Sequence, residues 1–187
     1  MHQKLWKGAV MQYTSKYQSP LGEILLAADE TGLTGLWFEG QKYFALYLDK
    51  DHKEKDLPIF REAKRWLDIY FSGREPDFKL PLHFTGSPFQ NAVWEILYSI
   101  PYGKTVTYGE IARILAQKKG LSCMSAQAVG GAVGHNEISI IVPCHRVVGV
   151  SGSLTGYAGG IDKKIELLKL EGALQSGFFV PQKSTAP

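Results

Sequence analysis

Between residues 11 and 38 apolar and polar positions alternate in three short runs, 11–17, 22–28 and 32–38. Ser19-Pro20-Leu21-Gly22 closes the first run and Asp29-Glu30-Thr31-Gly32 the second. The pattern predicts a small antiparallel meander. Over 41–48 and 58–72 the period lengthens to that of a helix, and Phe60, Ala63, Leu67, Tyr70 and Phe71 fall on one face of the second segment. Two helices are therefore predicted to cover one side of the sheet. The dense charge over 50–56 reads as a solvated loop between them.

Beyond a linker at 82–86 the pattern becomes helical. Ser87-Pro88-Phe89-Gln90 joins an N-cap serine, a proline at the first helical position and a reciprocating glutamine. Phe89, Val93, Ile96 and Leu97 supply that helix's apolar stripe, and Pro101-Tyr102-Gly103 stops it. Thr107-Tyr108-Gly109-Glu110 is a second capping box, opening a helix to about residue 116. A third helix is predicted over 125–133, which makes a helix-turn-helix with its predecessor. The reading is α+β: an N-terminal unit over 1–84, a mainly helical unit over 85–175, and a flexible tail over 176–187.

The third helix is almost without bulk, since Ala126, Ala128, Gly130, Gly131, Ala132 and Gly134 fill it. Glycine inside a helix costs roughly 1 kcal/mol against alanine, so the glycines call for a reason. Close packing on a neighbouring helix is one; close approach to a nucleic-acid backbone is the other.

With 187 residues, 44% hydrophobic and 12% aromatic, the chain can bury a core. A net charge of +3 permits an anionic partner without demanding one. The two cysteines, Cys123 and Cys144, provide neither a disulfide framework nor a four-cysteine zinc site, and a reducing cytoplasm is expected. His2, His52, His83 and His135 show no ligand spacing, so no metal and no cofactor are expected. Neither a signal-peptide core at the N-terminus nor a membrane-length apolar run occurs.

The chemistry concentrates in Ile140-Ile141-Val142-Pro143-Cys144-His145-Arg146-Val147-Val148. A thiol between an apolar run and a His-Arg pair is placed where its pKa can be tuned, which reads as a nucleophile with His145 as its base. In an extended segment adjacent side chains point to opposite faces, so a bridging water is the expected link between His145 and Cys144. Cys123 reads as a passive thiol.

Pro143-Cys144-His145-Arg146 resembles the active-site motif of the O6-alkylguanine-DNA alkyltransferases. Ser87-Pro88-Phe89-Gln90, Ile100 to Thr105, Tyr108 to Ala112, Ala128 to Val133 and Gly156 to Gly160 fall in that family's order and spacing. Ser19-Pro20-Leu21-Gly22 extends the resemblance into the more variable N-terminal unit. It implies a ribonuclease H-like N-terminal unit, and a winged-helix-type helix-turn-helix in the C-terminal one. It also implies a single-turnover, irreversible transfer of an alkyl group from O6-alkylguanine, and O4-alkylthymine, in double-stranded DNA to Cys144. In this picture the third helix enters the minor groove and the damaged base is flipped out.

Residue by residue, the resemblance assigns Glu171 to orient His145, Tyr108 to approach N3 of the base, and Asn136 to tie the third helix to the cysteine segment. Backbone groups around Val147-Val148 and Tyr157-Ala158 would read the guanine edge, with the Tyr157 ring as a wall. Gln127, Ala128, Gly130, Gly131 and Ala132 would meet DNA; Arg146, counted with that set, would also tether loops through its fork. Two positions depart from the family. Gln127 stands where an arginine normally fills the vacated stack, and Glu137 stands where proline usually follows the asparagine.

Two other classes remain open on sequence. A cysteine hydrolase would also use Cys and His, although normally with a histidine distant in sequence. A helix-turn-helix regulator, or a relative that only binds alkylated DNA, would have no use for Cys144 beside His145. The expected partner is damaged duplex DNA, with no membrane, and the expected state is a monomer.

Overall fold

The computed structural model describes residues 10–182. Strands β1 (Tyr13–Ser19), β2 (Gly22–Ala28) and β3 (Leu33–Phe38) form the predicted meander, β1 and β2 pairing from Tyr13↔Ala28 to Ser19↔Gly22. Their turn requires Gly22, whose φ of 117° is closed to L side chains. The Ser19 hydroxyl secures it by accepting from the Leu21 N–H and donating to the Gly22 carbonyl. A fourth strand, β4 (Lys53–Glu54), runs parallel to β1. The sheet is therefore mixed, in the order β3-β2-β1-β4, and not purely antiparallel. This strand comes from the charge run, where two exposed residues cover the free edge of β1.

Helix α1 (Pro58–Phe71) lays Phe60, Ala63, Leu67 and Tyr70, all fully buried, toward the sheet. The helix expected over 41–48 does not form. That segment is a succession of turns in which Tyr43 and Ala45 adopt positive φ, 60° and 51°. Its opening groups are engaged elsewhere: the Gln41 side chain accepts the Phe38 N–H at 2.9 Å, and the Lys42 N–H donates to the Ala158 carbonyl at 2.9 Å. An eight-residue helix is marginal alone, and these bonds outweigh its periodicity.

The C-terminal unit holds α2 (Pro88–Tyr98), α3 (Tyr108–Lys118), α4 (Ala126–Gly134) and α5 (Ile161–Leu170). Both predicted capping boxes are formed, Ser87 with Gln90 and Thr107 with Glu110. A short parallel pair, β5 (Val106–Thr107) with β6 (Val147–Val148), fixes the start of α3 against the chain just after Cys144. The outer edge of β3 is covered from the other unit: Leu36 N–H donates to Glu137 at 2.7 Å, and Ser139 N–H to Leu36 at 2.9 Å. One continuous core runs from Ile24 and Leu26 through Trp94 and Ile111 to Val142, Cys144 and Leu167. Cys144 thus sits in an interior that both units build.

The expected flexible tail needs correcting over its first residues. The Leu154 N–H donates to the Phe179 carbonyl at 2.8 Å, and Phe178 packs on Val148, Leu154, Leu168 and Ala173. Residues 183–187 of that tail, and the N-terminal residues 1–9, lie outside the described residues. Among the described residues no helix is long and apolar enough to cross a membrane.

Candidate active site

Helix α4 ends at Gly134 with His135 as its C-cap, and Asn136 follows directly into the segment that carries the thiol. The Asn136 carboxamide donates to the Val142 carbonyl at 2.8 Å and to Cys144 Sγ at 3.1 Å, while its oxygen accepts the Ile138 N–H at 3.1 Å. It therefore ties the end of α4 to the cysteine and is not a helix cap. Cys144, His145 and Arg146 form one turn of 3-10 helix, so the segment is not extended as expected. Successive side chains there step by roughly 120° and do not oppose one another. Cys144 is 4% exposed and His145 is fully buried.

Burial pushes the Cys144 thiol above its ordinary pKa; the Asn136 N–H and the Lys164 charge pull against that without overcoming it. The thiol therefore rests protonated and must lose its proton during reaction. Burial likewise lowers the His145 pKa, although Glu171 opposes the shift, so the imidazole rests neutral. His145 Nε2 lies 2.6 Å from Glu171 Oε1. An ionised carboxylate only accepts, so that nitrogen carries the proton and Nδ1 is left as a basic lone pair. Nδ1 is buried and has no hydrogen-bond partner among the described residues.

Glu171 is not the exposed helix-end carboxylate its position would suggest. Its side chain is fully buried and receives Tyr70 OH at 2.7 Å, Arg146 Nε at 2.8 Å, Arg146 Nη2 at 3.1 Å and the Gly103 N–H at 3.3 Å, in addition to His145. His145 and Arg146 outweigh desolvation and hold its pKa down to about 2. Arg146 also donates to the Ile100 carbonyl at 2.6 Å. Its fork is occupied inside the protein, which corrects its place among DNA-facing residues.

A cavity of about 740 Å³ opens between the outer face of α4 and the loop before α5, lined among others by Tyr43, Tyr108, Gln127, Gly130, Tyr157 and Ala158. Tyr108 donates to the Thr155 carbonyl at 3.2 Å, and burial raises its pKa to about 12. Burial likewise raises the Tyr157 pKa well above its ordinary value, and Cys144, 4% exposed, is not itself one of the residues lining the cavity. Val147 and Val148 are buried and do not line the cavity. The Val147 carbonyl is taken by Lys164 Nζ at 2.6 Å, which corrects the expectation that this pair faces the substrate.

On α4, Gln127 and Ala128 are exposed, and Gly130 and Gly131 are partly so. Ala132 is 4% exposed with its carbonyl bonded to Trp94 Nε1, so it belongs to the core and not to the outer face. A Cβ added at Gly131 would meet nothing, and one at Gly130 only the Tyr108 ring at 3.8 Å. Helix packing therefore does not account for the glycine pair. Cys123 is exposed in the α3–α4 connection.

Sequence reasoning missed Lys164 and Tyr70. Lys164 Nζ is buried under the carbonyls of Val147, Thr155 and Gly156, at 2.6, 2.9 and 3.4 Å, and burial lowers its pKa to about 8. Its signal was a lysine in register with the apolar positions of α5, three residues before Leu167. Tyr70 read as a core residue of α1, which it is, with only its hydroxyl hinting at more. Among the described residues no three His, Cys, Asp or Glu side chains cluster as metal ligands.

Residues 12–84 match the family model described as 6-O-methylguanine DNA methyltransferase, ribonuclease-like domain, and 88–173 match that of its DNA binding domain. A methylated-DNA–protein-cysteine methyltransferase of Methanosarcina acetivorans is 46% identical over 162 residues, 86% of this chain and 99% of the relative. One of Haemophilus influenzae is 41% identical, over 85% of this chain and 86% of the relative. Among solved structures, the Mycobacterium tuberculosis O6-methylguanine methyltransferase superposes with a TM-score of 0.74 at 40% identity, covering 89% of this chain and 96% of that one. The M. tuberculosis protein in complex with DNA gives 0.72 at 42% identity, covering 87% and 92%.

Proposed function

The chain belongs to the 6-O-methylguanine DNA methyltransferase family, and we propose that Cys144 Sγ is the atom on which its reaction ends. It is a DNA repair protein that takes a methyl group from methylated DNA onto a cysteine of its own. The observation that carries the assignment to Cys144 is a buried thiol held by Asn136, beside a neutral histidine that Glu171 orients. Cys123, the other cysteine, is exposed and has no such surroundings.

In the proposed mechanism, His145 Nδ1 takes the thiol proton through a bridging water, and Glu171 stabilises the imidazolium that results. The thiolate attacks the O6-alkyl carbon, a carbon–sulfur bond forms, and the carbon–oxygen bond breaks with its electron pair left on guanine. Tyr108 gives up its bond to the Thr155 carbonyl and donates toward N3 as that charge develops. Base flipping through the minor groove brings the nucleotide into the 740 Å³ cavity, with Tyr157 and Ala158 as its wall. The open glycine face of α4 supports close approach to the DNA backbone, and Gln127, exposed beside the cavity, would enter the vacated stack. O4-alkylthymine is the second substrate on this reading. The protein acts as a cytoplasmic monomer.

Incubation with duplex carrying labelled O6-methylguanine tests the assignment by intact mass. One CH2 unit should be gained per chain, on Cys144, with no turnover, because a thioether has no ready route to hydrolysis. Repeated turnover, or label retained by Cys144→Ala, would overturn it.

A further inference from the structure

The carboxylate that orients His145 is shared with a residue from the other unit. Glu171 Oε1 receives His145 Nε2 at 2.6 Å and Tyr70 OH at 2.7 Å, and the Tyr70 oxygen stands 3.4 Å from His145 Nε2. Tyr70 lies on α1, 101 residues away in sequence from Glu171. Its ring is fixed on several sides: it stacks on Trp66 at 5.4 Å and meets Phe71, Tyr102 and His145 edge-on at 5.4, 6.1 and 6.5 Å. A phenylalanine would fill the same space. The hydroxyl is what needs a reason.

A buried tyrosine usually takes whatever acceptor is nearest, and that ordinary role is the alternative to beat. Glu171, however, is already clamped by both Nε and Nη2 of Arg146 and does not need Tyr70 to be satisfied. A further donor on Oε1 draws negative charge from the oxygen that faces His145. Together with Arg146 Nη2, which reaches the same Oε1 at 3.1 Å, it holds the oxygen that accepts from His145.

We propose that Tyr70 is a positioning residue for the transfer reaction: through Glu171 Oε1 its hydroxyl sets the orientation and basicity of His145, so the N-terminal unit forms part of the reaction apparatus. The inference rests on the reading of His145 as the base. Its direction follows from charge. With Tyr70 present the carboxylate supports an imidazolium less strongly, so His145 stays neutral to lower pH; without the hydroxyl Glu171 supports it more, and the histidine becomes easier to protonate. The other titratable or charged groups around His145 are Lys164 and Glu171 from α5 and its end, Tyr157 from the preceding loop, Tyr102 from the turn after α2, and Cys144 and Arg146 from its own turn. Of these, only Glu171 bonds to the Tyr70 hydroxyl, so the effect of Tyr70→Phe on His145 runs through it.

The experiment is the pH profile of single-turnover transfer for the full chain with Tyr70→Phe, using O6-methylguanine duplex and free O6-benzylguanine. The acid limb should move up by roughly 0.5–1 pH unit, because a hydrogen bond to a charged group has been removed. The move should be the same for both substrates, since it acts on the base and not on DNA binding. Replacing Tyr70 by 3-fluorotyrosine, a stronger donor of similar volume, should move the limb the other way, and this variant keeps the test open if phenylalanine impairs folding. In a Glu171→Gln background the Tyr70→Phe shift should vanish. An acid limb that stays in place in both Tyr70 variants overturns the proposal, even if thermal stability falls. If His145→Ala transfers at the wild-type rate, it is the reading of His145 that fails, a result separable from any obtained at Tyr70.

Discussion

The carboxamide nitrogen of Asn136 reaches Cys144 Sγ at 3.1 Å and the Val142 carbonyl at 2.8 Å, so one side chain both locates the thiol and solvates it. Burial opposes the thiolate, and this donor pulls hardest the other way. A hydrogen bond to a charged group contributes about 1.5–3 kcal/mol. Asn136→Ala should therefore slow transfer roughly 10- to 100-fold and raise the pH at which Cys144 reacts with iodoacetamide. Asn136→Asp should be worse, because a carboxylate replaces the donor. Wild-type alkylation profiles in both variants would show that the amide only shapes the backbone.

His145→Ala and Glu171→Gln should each slow transfer, since general-base assistance is typically about 10²- to 10⁴-fold. The 2.6 Å contact between them and the common burial of their side chains make them one unit. The double variant should accordingly lose little more than His145→Ala alone. Losses that multiply in single-turnover assays would assign the two residues independent roles. Glu171 also bears on acid stability. Its carboxyl is held near 2, below its unfolded value, so the stabilisation it provides is present above about 4.5 and is lost as pH falls toward 2.

Glu137 has the opposite sign. It is 5% exposed, accepts the Thr85 hydroxyl at 3.0 Å, and burial raises its pKa to about 7. The folded protein holds this proton more tightly than the unfolded chain does, so the favourable contribution is complete below about 4.5 and is lost as pH rises through 7. Glu137→Gln should stabilise the protein at pH 8 by at most about 3 kcal/mol, a rise in Tm of at most roughly 6–12 °C, with the gain shrinking toward pH 5. Thermal unfolding at the two pH values checks it; an equal effect at both would remove the carboxyl's titration as the cause.

These residues also mark where sequence stops informing structure. The capping boxes at Ser87 and Thr107 were legible because their donors and acceptors lie within four residues. Cys144 and His145 were legible for a similar reason, since the thiol and the imidazole are adjacent in sequence, whereas Asn136, eight residues away, came only from the family resemblance. The segment 41–48 misled because its helical period was real, while the bonds that reshape it come from Phe38 and Ala158. Strand β4 is two charged residues with no apolar pattern to read. Ala132 and Arg146 were counted with the DNA-facing set through the family resemblance, and only the fold shows the Trp94 indole and the Glu171 carboxylate that turn them inward. Lys164 and Tyr70 depend on partners far along the chain, where hydrophobic periodicity records burial but not the polar atom at the end of the side chain.

Gln127 is exposed on α4, beside the cavity, where the family resemblance places an arginine. If this side chain fills the stack vacated by the base, Gln127→Arg supplies a longer planar cation there. It should bind duplex more tightly and repair O6-methylguanine in duplex faster, while the rate with free O6-benzylguanine, which needs no extrusion, changes little. Part of the gain should disappear as salt rises, with the slope of log K against log salt steepening by about one for a new phosphate-facing charge. Binding isotherms at several salt concentrations, read beside single-turnover rates on both substrates, separate the cases. Equal acceleration of free base and duplex would mean that Gln127 shapes the cavity itself, and no change in either would leave extrusion to other residues of α4.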